Sequence, residues 1–541
     1  MRRLLGAALL LALPAVGTLA RDARWPGLEE QLAADRVPPG SALEALIQKN
    51  QDFEMLRAEE ARDTIRVPPW LRVAWRKAHP QGRYSAADPT GGYPLHLKEV
   101  HEWMETHPDL APGERERDVP PRPLKAAAQG PNVRISGISP VPRSESDIRV
   151  NYWDPRKVIA AANNISGSGA QAQFYSRDGG VTWGRTTLPL QSGESFHTDP
   201  TVDWTSDGTA WATTIGVSAG GLVTRIRAYR STDGGATWTL DGQVSGDHRS
   251  ADKQMVWVDH SGKSPYRDTL YAIWHDGGPV YVNRRLPGKG WQQPVLVSGK
   301  QPGSGIGSDI KTSSAGVVFA LWPNTVSRKI QVARSADGGR TWSAPAPIAS
   351  TIDSFDIGIL AQARRRVLIY VSAGAFRGGD RDHVYAAWTD LNSTSCRTAG
   401  TCKTRVWFTR STDGGRTWGR ARMVNNQPTL NDQFNQALAV DETNGNLAII
   451  YYDTAGDPAR RQAHVWYQSS YDGGATWTKP FQVTTAPTDE TVRGAEYGNQ
   501  YGDYNGLSGF AGTFFPSWTD RRHGGKEEIW TAPLVDQGPP E

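Results

Sequence analysis

The sequence predicts an all-β protein, a β-propeller preceded by a helical N-terminal appendage. Three observations predict it. A turn of the form Ser-x-Asp-Gly-Gly-x-Thr-Trp recurs at 176–183, 231–238, 335–342, 411–418 and 470–477. Each copy follows a pair of short apolar runs, such as 270–274 with 280–282, or 384–388 with 406–408. The composition, with 57 Gly, 36 Pro and 21 Trp but 5 Met and 2 Cys in 541 residues, suits many short strands and tight turns better than long helices.

The elements follow in order. Met1-Arg2-Arg3, an apolar run from Leu4 to Val16 and then Thr18-Leu19-Ala20 form the basic, apolar and small-residue parts of a signal peptide over 1–20, so a secreted or periplasmic location is expected. The apolar run is well short of the roughly 20 residues that a spanning helix needs, so no membrane span is expected in the mature chain. Residues 21–110 carry helix-like segments around 41–66 and 95–106 and read as a small helical segment. Residues 111–130, including Val119-Pro120-Pro121-Arg122-Pro123, are rich in charge and proline and read as a linker. The propeller is expected over 131–541.

Within it, a degenerate turn at 286–291 fills the gap in the repeat, and the closing tryptophans then fall at 183, 238, 291, 342, 418 and 477, 51 to 76 residues apart. That spacing matches one four-stranded blade per repeat. A last strand pair at 513–518 and 528–530 ends the chain without such a turn, and an early strand at 132–138 can complete its blade. Seven blades are therefore favoured over six, with closure by strands from both ends removing exposed sheet edges.

Formal charge is +4 with acids and bases interspersed, which gives no stripe for nucleic acid or an anionic membrane. Cys396 and Cys402 sit in a polar, turn-rich insertion, where in an oxidising compartment they are expected to pair. A His-Glu-x-x-His zinc motif and a phosphate-binding Gly-rich loop are absent from the sequence.

In the repeated turn the Asp can accept backbone N–H groups, the glycines can take positive φ and the Trp can bury a large ring. A residue repeated in nearly every blade cannot mark one unique site, so these aspartates read as structural. The turn and the strand pairs resemble the sialidase superfamily, with its bacterial-neuraminidase or Asp-box repeats, over roughly 131–533. The resemblance implies that each box joins the third and fourth strands of a blade. Catalytic groups then belong on the opposite face, where the inner strands begin.

The expected inner-strand starts are Glu145-Ser146-Asp147, Asp199-Pro200, Asp252-Lys253, Ser308-Asp309, Asp353 or Asp356, Asn431-Asp432 and Gly502-Asp503-Tyr504. The residues after the second strand, His275-Asp276, Thr389-Asp390, Asp453 and Asp520-Arg521-Arg522, should reach the same face. Carboxylates gathered there could raise one another's pKa for general-acid work, hold a hard cation or bind sugar hydroxyls, although Asp also commonly caps turns.

The resemblance further implies an arginine cluster for a sugar carboxylate, an acid–base aspartate and a tyrosine nucleophile supported by a mid-chain glutamate. This chain departs from that pattern, with Arg134-Ile135-Ser136 in place of Arg-Ile-Pro and no glutamate between Glu194 and Glu442. Asp252, Asp503 and Tyr504 are the candidate catalytic residues, and Arg149, Asp199, Lys253, Asp432 and Arg521 the candidate substrate-binding residues. The leading reading is a secreted sialidase-like exo-glycosidase acting on sialosides or related acidic glycans. The alternative is a non-catalytic propeller that binds a glycan or an extracellular protein. No cofactor is firmly implied, and calcium is the one metal that the acidic ring suggests.

Overall fold

Sheet pairing in a computed structural model, which describes residues 127–536 apart from 166–168, 220, 222 and 300–304, divides the chain into seven radially arranged blades. The signal peptide, the helical segment and most of the linker lie outside the described residues. Apart from the short helix Cys396–Ala399, the described secondary structure is strand.

The inner strands of blades 1 to 7 are Arg143–Val150, Glu194–Trp204, Ala251–Val258, Asp309–Thr312, Val371–Gly378, Gln433–Val440 and Gly506–Phe510. Every blade is antiparallel. Blade 7 is completed by Val133–Arg134, which pairs with Glu528–Thr531 as Val133↔Thr531 and Arg134↔Trp530. Ala127–Gln129, inside the stretch read as linker, pairs with Leu534–Asp536. The two ends of the propeller thus lie in one sheet, which leaves the ring without a free inter-blade gap.

The second strands form the core. Val158–Asn164, Val318–Asn324 and Leu447–Asp453 are buried along their whole length, because neighbouring blades cover both faces. Trp274, Trp322, Trp388 and Trp518 occupy the second strands of four blades and are fully buried. Each removes roughly 150–250 Å² from water, a stabilisation on the order of 5 kcal/mol before entropy is counted.

The boxes do join third and fourth strands, as in Thr224–Ser231 to Thr239–Gln243 of blade 2. There Asp233 accepts from the Ser231 hydroxyl at 2.7 Å, from the Thr237 N–H at 2.9 Å and from the Thr237 hydroxyl at 2.7 Å. Trp238 Nε1 donates to the Gly235 carbonyl at 3.0 Å. Gly235 has φ 96°, and a Cβ there would stand 2.9 Å from Ile159 and 3.0 Å from Tyr175 of the preceding blade. The box therefore closes a turn and docks it on the neighbouring blade, and its aspartate is structural.

The long spacing between Trp342 and Trp418 comes from two insertions. One carries the hairpin Asp356–Ile357 with Val367–Leu368 ahead of the inner strand of blade 5. That strand starts only at Val371, so Asp353 and Asp356 lie in the insertion and not at an inner-strand start. The other insertion is closed by the Cys396–Cys402 disulfide. Among the described residues no helix is long and apolar enough to cross a membrane.

Candidate functional site

Four inner strands share an irregularity. Blades 1, 2, 3 and 6 shift register between Ser144 and Asp147, Thr198 and Thr201, Asp252 and Met255, and Phe434 and Ala437. At each shift a residue other than glycine is left-handed: Glu145 at φ 57°, Asp199 at 56°, Lys253 at 48° and Asn435 at 49°. Such residues cost about 1–3 kcal/mol each and persist where the surrounding structure over-determines them, often at functional sites. All four lie at the strand-start face, opposite the boxes.

They build a buried polar cluster. Glu145 accepts from Asn163 Nδ2 at 2.6 Å. Asp199 accepts from the Lys253 N–H at 3.1 Å. Burial, reinforced by Asp252 and Asp503, pushes the Asp199 carboxyl up to about 7. Burial, Asp503 and Asp199 together hold Glu145 well above the ordinary carboxylate range. Both carboxyls therefore keep a proton to higher pH than a solvated carboxyl does. Burial lowers the Lys253 ammonium pKa, against the opposing pull of Asp199 and Glu145. Asp252 lies 3.5 Å from His275 and accepts from the Lys253 N–H at 2.8 Å.

The segment 502–504 completes the cluster. Gly502 has φ 77°, and a Cβ there would stand 2.6 Å from Glu145 Cγ, so only glycine lets this segment approach. Asp503 is ion-paired with Arg365 and accepts from the Tyr370 hydroxyl at 3.3 Å. Tyr504 donates to the Pro200 carbonyl at 3.3 Å, and burial and four nearby acids hold its phenol far above the ordinary range. A phenol so held is poorly suited to act as a nucleophile.

Arg365 belongs to the inserted segment that covers this mouth. Gln500 Oε1 receives the N–H groups of Arg364 and Arg365 at 3.1 and 3.0 Å, and Gln362 donates to the Gly502 carbonyl at 3.0 Å. The cluster is consequently enclosed.

Asp252, Asp503, Tyr504, Asp199 and Lys253 are thus brought together. Arg149 lies deeper in the channel, bonded to Asp147 at 3.1 Å and to the Leu507 carbonyl at 3.2 Å. Asp432 is ion-paired with Arg460 and accepts the Thr404 N–H, between blades 5 and 6. Arg521 faces Glu527 at 3.7 Å and donates to the Asp489 carbonyl, in a separate group near Glu490. The residues after the second strands reach the same face, where Asp390 caps the N–H groups of Ile352, Asp353 and Leu391. Further inner-strand acids bind blade to blade: Asp147 receives Val202 N–H at 2.9 Å, Asp203 Val258 N–H at 2.8 Å and Asp309 Ala373 N–H at 2.8 Å. Glu145 as a proton-holding carboxyl and Arg365 as a cover were not singled out from sequence; the unusual run Arg364-Arg365-Arg366 was the available signal. Among the described residues no group of three or more His, Cys, Asp or Glu side chains is arranged to hold a metal ion.

Fold and turns together are those of a sialidase-like BNR/Asp-box β-propeller. The BNR repeat-like domain model matches residues 276–488 and the BNR/Asp-box repeat model residues 229–240. The chain is 28% identical over 218 residues to a xyloglucanase of Hypocrea jecorina (strain QM6a), covering 34% of this chain and 24% of that protein. It is also 28% identical over 225 residues to a xyloglucanase of a Paenibacillus species, covering 37% of this chain and 19% of that protein. The chain therefore spans only a minor part of these relatives. A leech intramolecular trans-sialidase is similar in structure at 12% identity and a TM-score of 0.42, over 65% of this chain and 70% of that one.

Proposed function

We propose that this chain is a carbohydrate-active propeller, a glycoside hydrolase that works at the strand-start mouth. The observation that carries this reading is the Glu145–Asp199 pair, two buried carboxyls both held above the ordinary carboxylate range, Asp199 at about 7. A carboxyl that keeps a proton near neutrality is what protonation of a glycosidic oxygen needs, and further carboxylates stand nearby in Asp252 and Asp503. The xyloglucanase relatives support a glycan as substrate.

In this reading the Glu145–Asp199 pair supplies the acid proton, Asp252 acts as the second carboxylate, and Lys253 meets the sugar. The inserted segment carrying Arg365 must shift to admit it. An acidic sugar such as a sialoside is the finer proposal, supported by the superfamily and by Lys253 and Arg365 as carboxylate partners. The locked phenol of Tyr504 and the absence of a glutamate between Glu194 and Glu442 weigh toward a different nucleophile from the sialidase one. Export is proposed on the N-terminal pattern of Met1 to Ala20.

The test is turnover of aryl sialosides, aryl arabinofuranosides and xyloglucan by the purified protein, with Asp199→Asn and Glu145→Gln beside it. Hydrolysis of one substrate that both variants lose supports the proposal. Absence of any turnover would leave the second reading, a glycan- or protein-binding propeller, which is favoured by the ion pairing and cover that enclose the mouth.

A further inference from the structure

At the outer strands neighbouring blades do not all close on one another alike. Between blades 2 and 3 the cleft is filled. Asp241 of the fourth strand is ion-paired with Arg285 at 2.7 Å, Arg285 lies 4.4 Å over the Trp211 ring, and a Cβ on Gly242 would stand 3.4 Å from Trp291. Between blades 5 and 6 the cleft is open, with a volume of about 270 Å³. The strand register explains the difference. Arg422 pairs with Phe408 in blade 5 as Gly242 pairs with Ala228 in blade 2, so a long cation stands where glycine admits the closing tryptophan of the next blade. Three residues after the box tryptophan, Ala421 stands where blade 2 has Asp241.

Arg410, Arg420 and Arg422 line this cleft together with Phe408 and Trp477, and no carboxylate lines it. The box aspartates of the two blades are engaged inside their own turns. Asp413 accepts from the Ser411 and Thr417 hydroxyls at 2.7 and 2.6 Å, and Asp472 from those of Ser470 and Thr476 at 2.8 and 2.6 Å. Arg410 is fixed, because its Nη1 donates to the Asp472 and Gly473 carbonyls at 2.7 and 2.8 Å, and its Nε and Nη2 are left for another acceptor. Arg420 and Arg422 are exposed, and among the described residues their guanidinium groups form no ion pair. Trp477 differs from the other box tryptophans. Trp183, Trp238, Trp342 and Trp418 each donate from Nε1 to a glycine carbonyl of their own turn, at 2.9 to 3.2 Å, whereas Trp477 makes no such bond among the described residues.

The chemistry selects the ligand class. Three guanidinium groups without a lining carboxylate leave uncompensated positive charge, which an anion relieves and a neutral ligand does not. Guanidinium forks hold carboxylate and sulfate through paired N–H···O bonds. The half-buried indole of Trp477, edge-on to Phe408 at 5.2 Å, offers a fixed ring for the C–H face of a sugar and an N–H for a hydroxyl. An acidic peptide would satisfy the arginines but would bring no sugar face to that ring. The volume suits one or two units of a chain whose remainder lies in solvent. From these observations we infer that the cleft between blades 5 and 6 binds an acidic glycan, a chain bearing hexuronate carboxylates or sulfate esters, at a site apart from the mouth and independent of turnover there.

Calorimetry on the purified protein with trigalacturonate, a κ-carrageenan tetrasaccharide, neutral cellotriose and hexaglutamate tests this. Saturable binding of an acidic oligosaccharide and not of cellotriose is expected, weakening as salt rises. It should be at least tenfold weaker in Arg420→Gln/Arg422→Gln. It should be unchanged in Arg156→Gln/Arg340→Gln, which removes two exposed arginines of other blades. Whichever acidic probe binds names the anion, carboxylate or sulfate. Equal loss in both double variants, binding of hexaglutamate as tight as that of the sugar, or no binding of either acidic oligosaccharide would overturn the inference. Loss in Asp199→Asn with retention in Arg420→Gln/Arg422→Gln would move the acidic sugar to the mouth and overturn it as well. Binding that survives in Asp199→Asn while turnover is lost supports a site separate from the proposed acid pair.

Discussion

Lys253 Nζ lies 3.7 Å over the centroid of the Tyr504 ring, in contact across two blades. The ring serves the ammonium as a cation–π platform, while the phenol oxygen is engaged with Pro200. Tyr504→Phe is therefore expected to keep turnover within about threefold, and Tyr504→Leu to lose at least tenfold as Lys253 loses its seat. Steady-state kinetics of the two variants checks this; a Tyr504→Phe enzyme as inactive as Tyr504→Leu would assign the hydroxyl a chemical role.

The Asp199 carboxyl, raised to about 7, gives two pH signatures. As the proton donor it should lose activity as pH rises through about 7. Its folded pKa exceeds the unfolded one, so its contribution to stability is complete below about pH 4 and declines as pH rises from there to about 7. Asp199→Asn should abolish turnover and flatten the stability decline over that window, measured by urea unfolding at several pH values. A variant with the wild-type slope would show that another group carries it.

Arg365 and Asp503 are both nearly inaccessible, with 1% and 5% of their side chains exposed. Replacing one partner of a buried pair leaves a charge without compensation, at about 3–5 kcal/mol. Arg365→Met should therefore be strongly destabilising, and adding Asp503→Asn should restore at least half of the loss. Denaturant midpoints of the single and double variants measure the coupling; equal stabilities would mean that the pair does not hold the cover in place.

Much of this architecture was legible because it repeats. Ser, Asp, the glycines, Thr and Trp of the box interact almost wholly within eight residues, so spacing alone located the turn and the third and fourth strands. Closure by an early strand followed from the unpaired run at 513–518. The mouth was legible only in outline. Whether an aspartate at a strand start joins the mouth cluster depends on a one-residue register shift, and nothing local distinguishes Asp199 from Asp147, although each takes an N–H of the next blade, from Lys253 and Val202. The cover was hidden for a related reason. Arg365 finds Asp503 across 138 residues, a pairing that only the closed ring creates.

The box of blade 2 offers a test of the structural aspartates. Asp233 is held down to about 2 by hydrogen bonds from Thr237 and Ser231, which outweigh its slight burial. Its exposure keeps the expected cost of Asp233→Ala to about 1–2 kcal/mol. Turnover per folded molecule should not change. Thermal unfolding together with active-site-normalised kinetics separates the two effects, and a catalytic loss without a stability loss would return the box aspartates to the chemistry.

His260 sits between Asp203, at 2.9 Å from Nε2, and Glu442, at 3.1 Å from Nδ1. Burial disfavours the charged ring, but the two carboxylates overcome it and raise its pKa to about 10. With the folded pKa above the unfolded one, the stabilisation is fully present below about pH 6.5 and is lost as pH rises through about 10. The wild type should accordingly lose on the order of 5 kcal/mol over that alkaline window. His260→Gln keeps hydrogen bonding without the titration, so it should be less stable near neutrality and show a flatter alkaline slope. Urea unfolding at matched ionic strength reads both. A variant that keeps the full wild-type slope would place the alkaline transition on another group and leave His260 as a neutral packing partner of Tyr152 and Trp257.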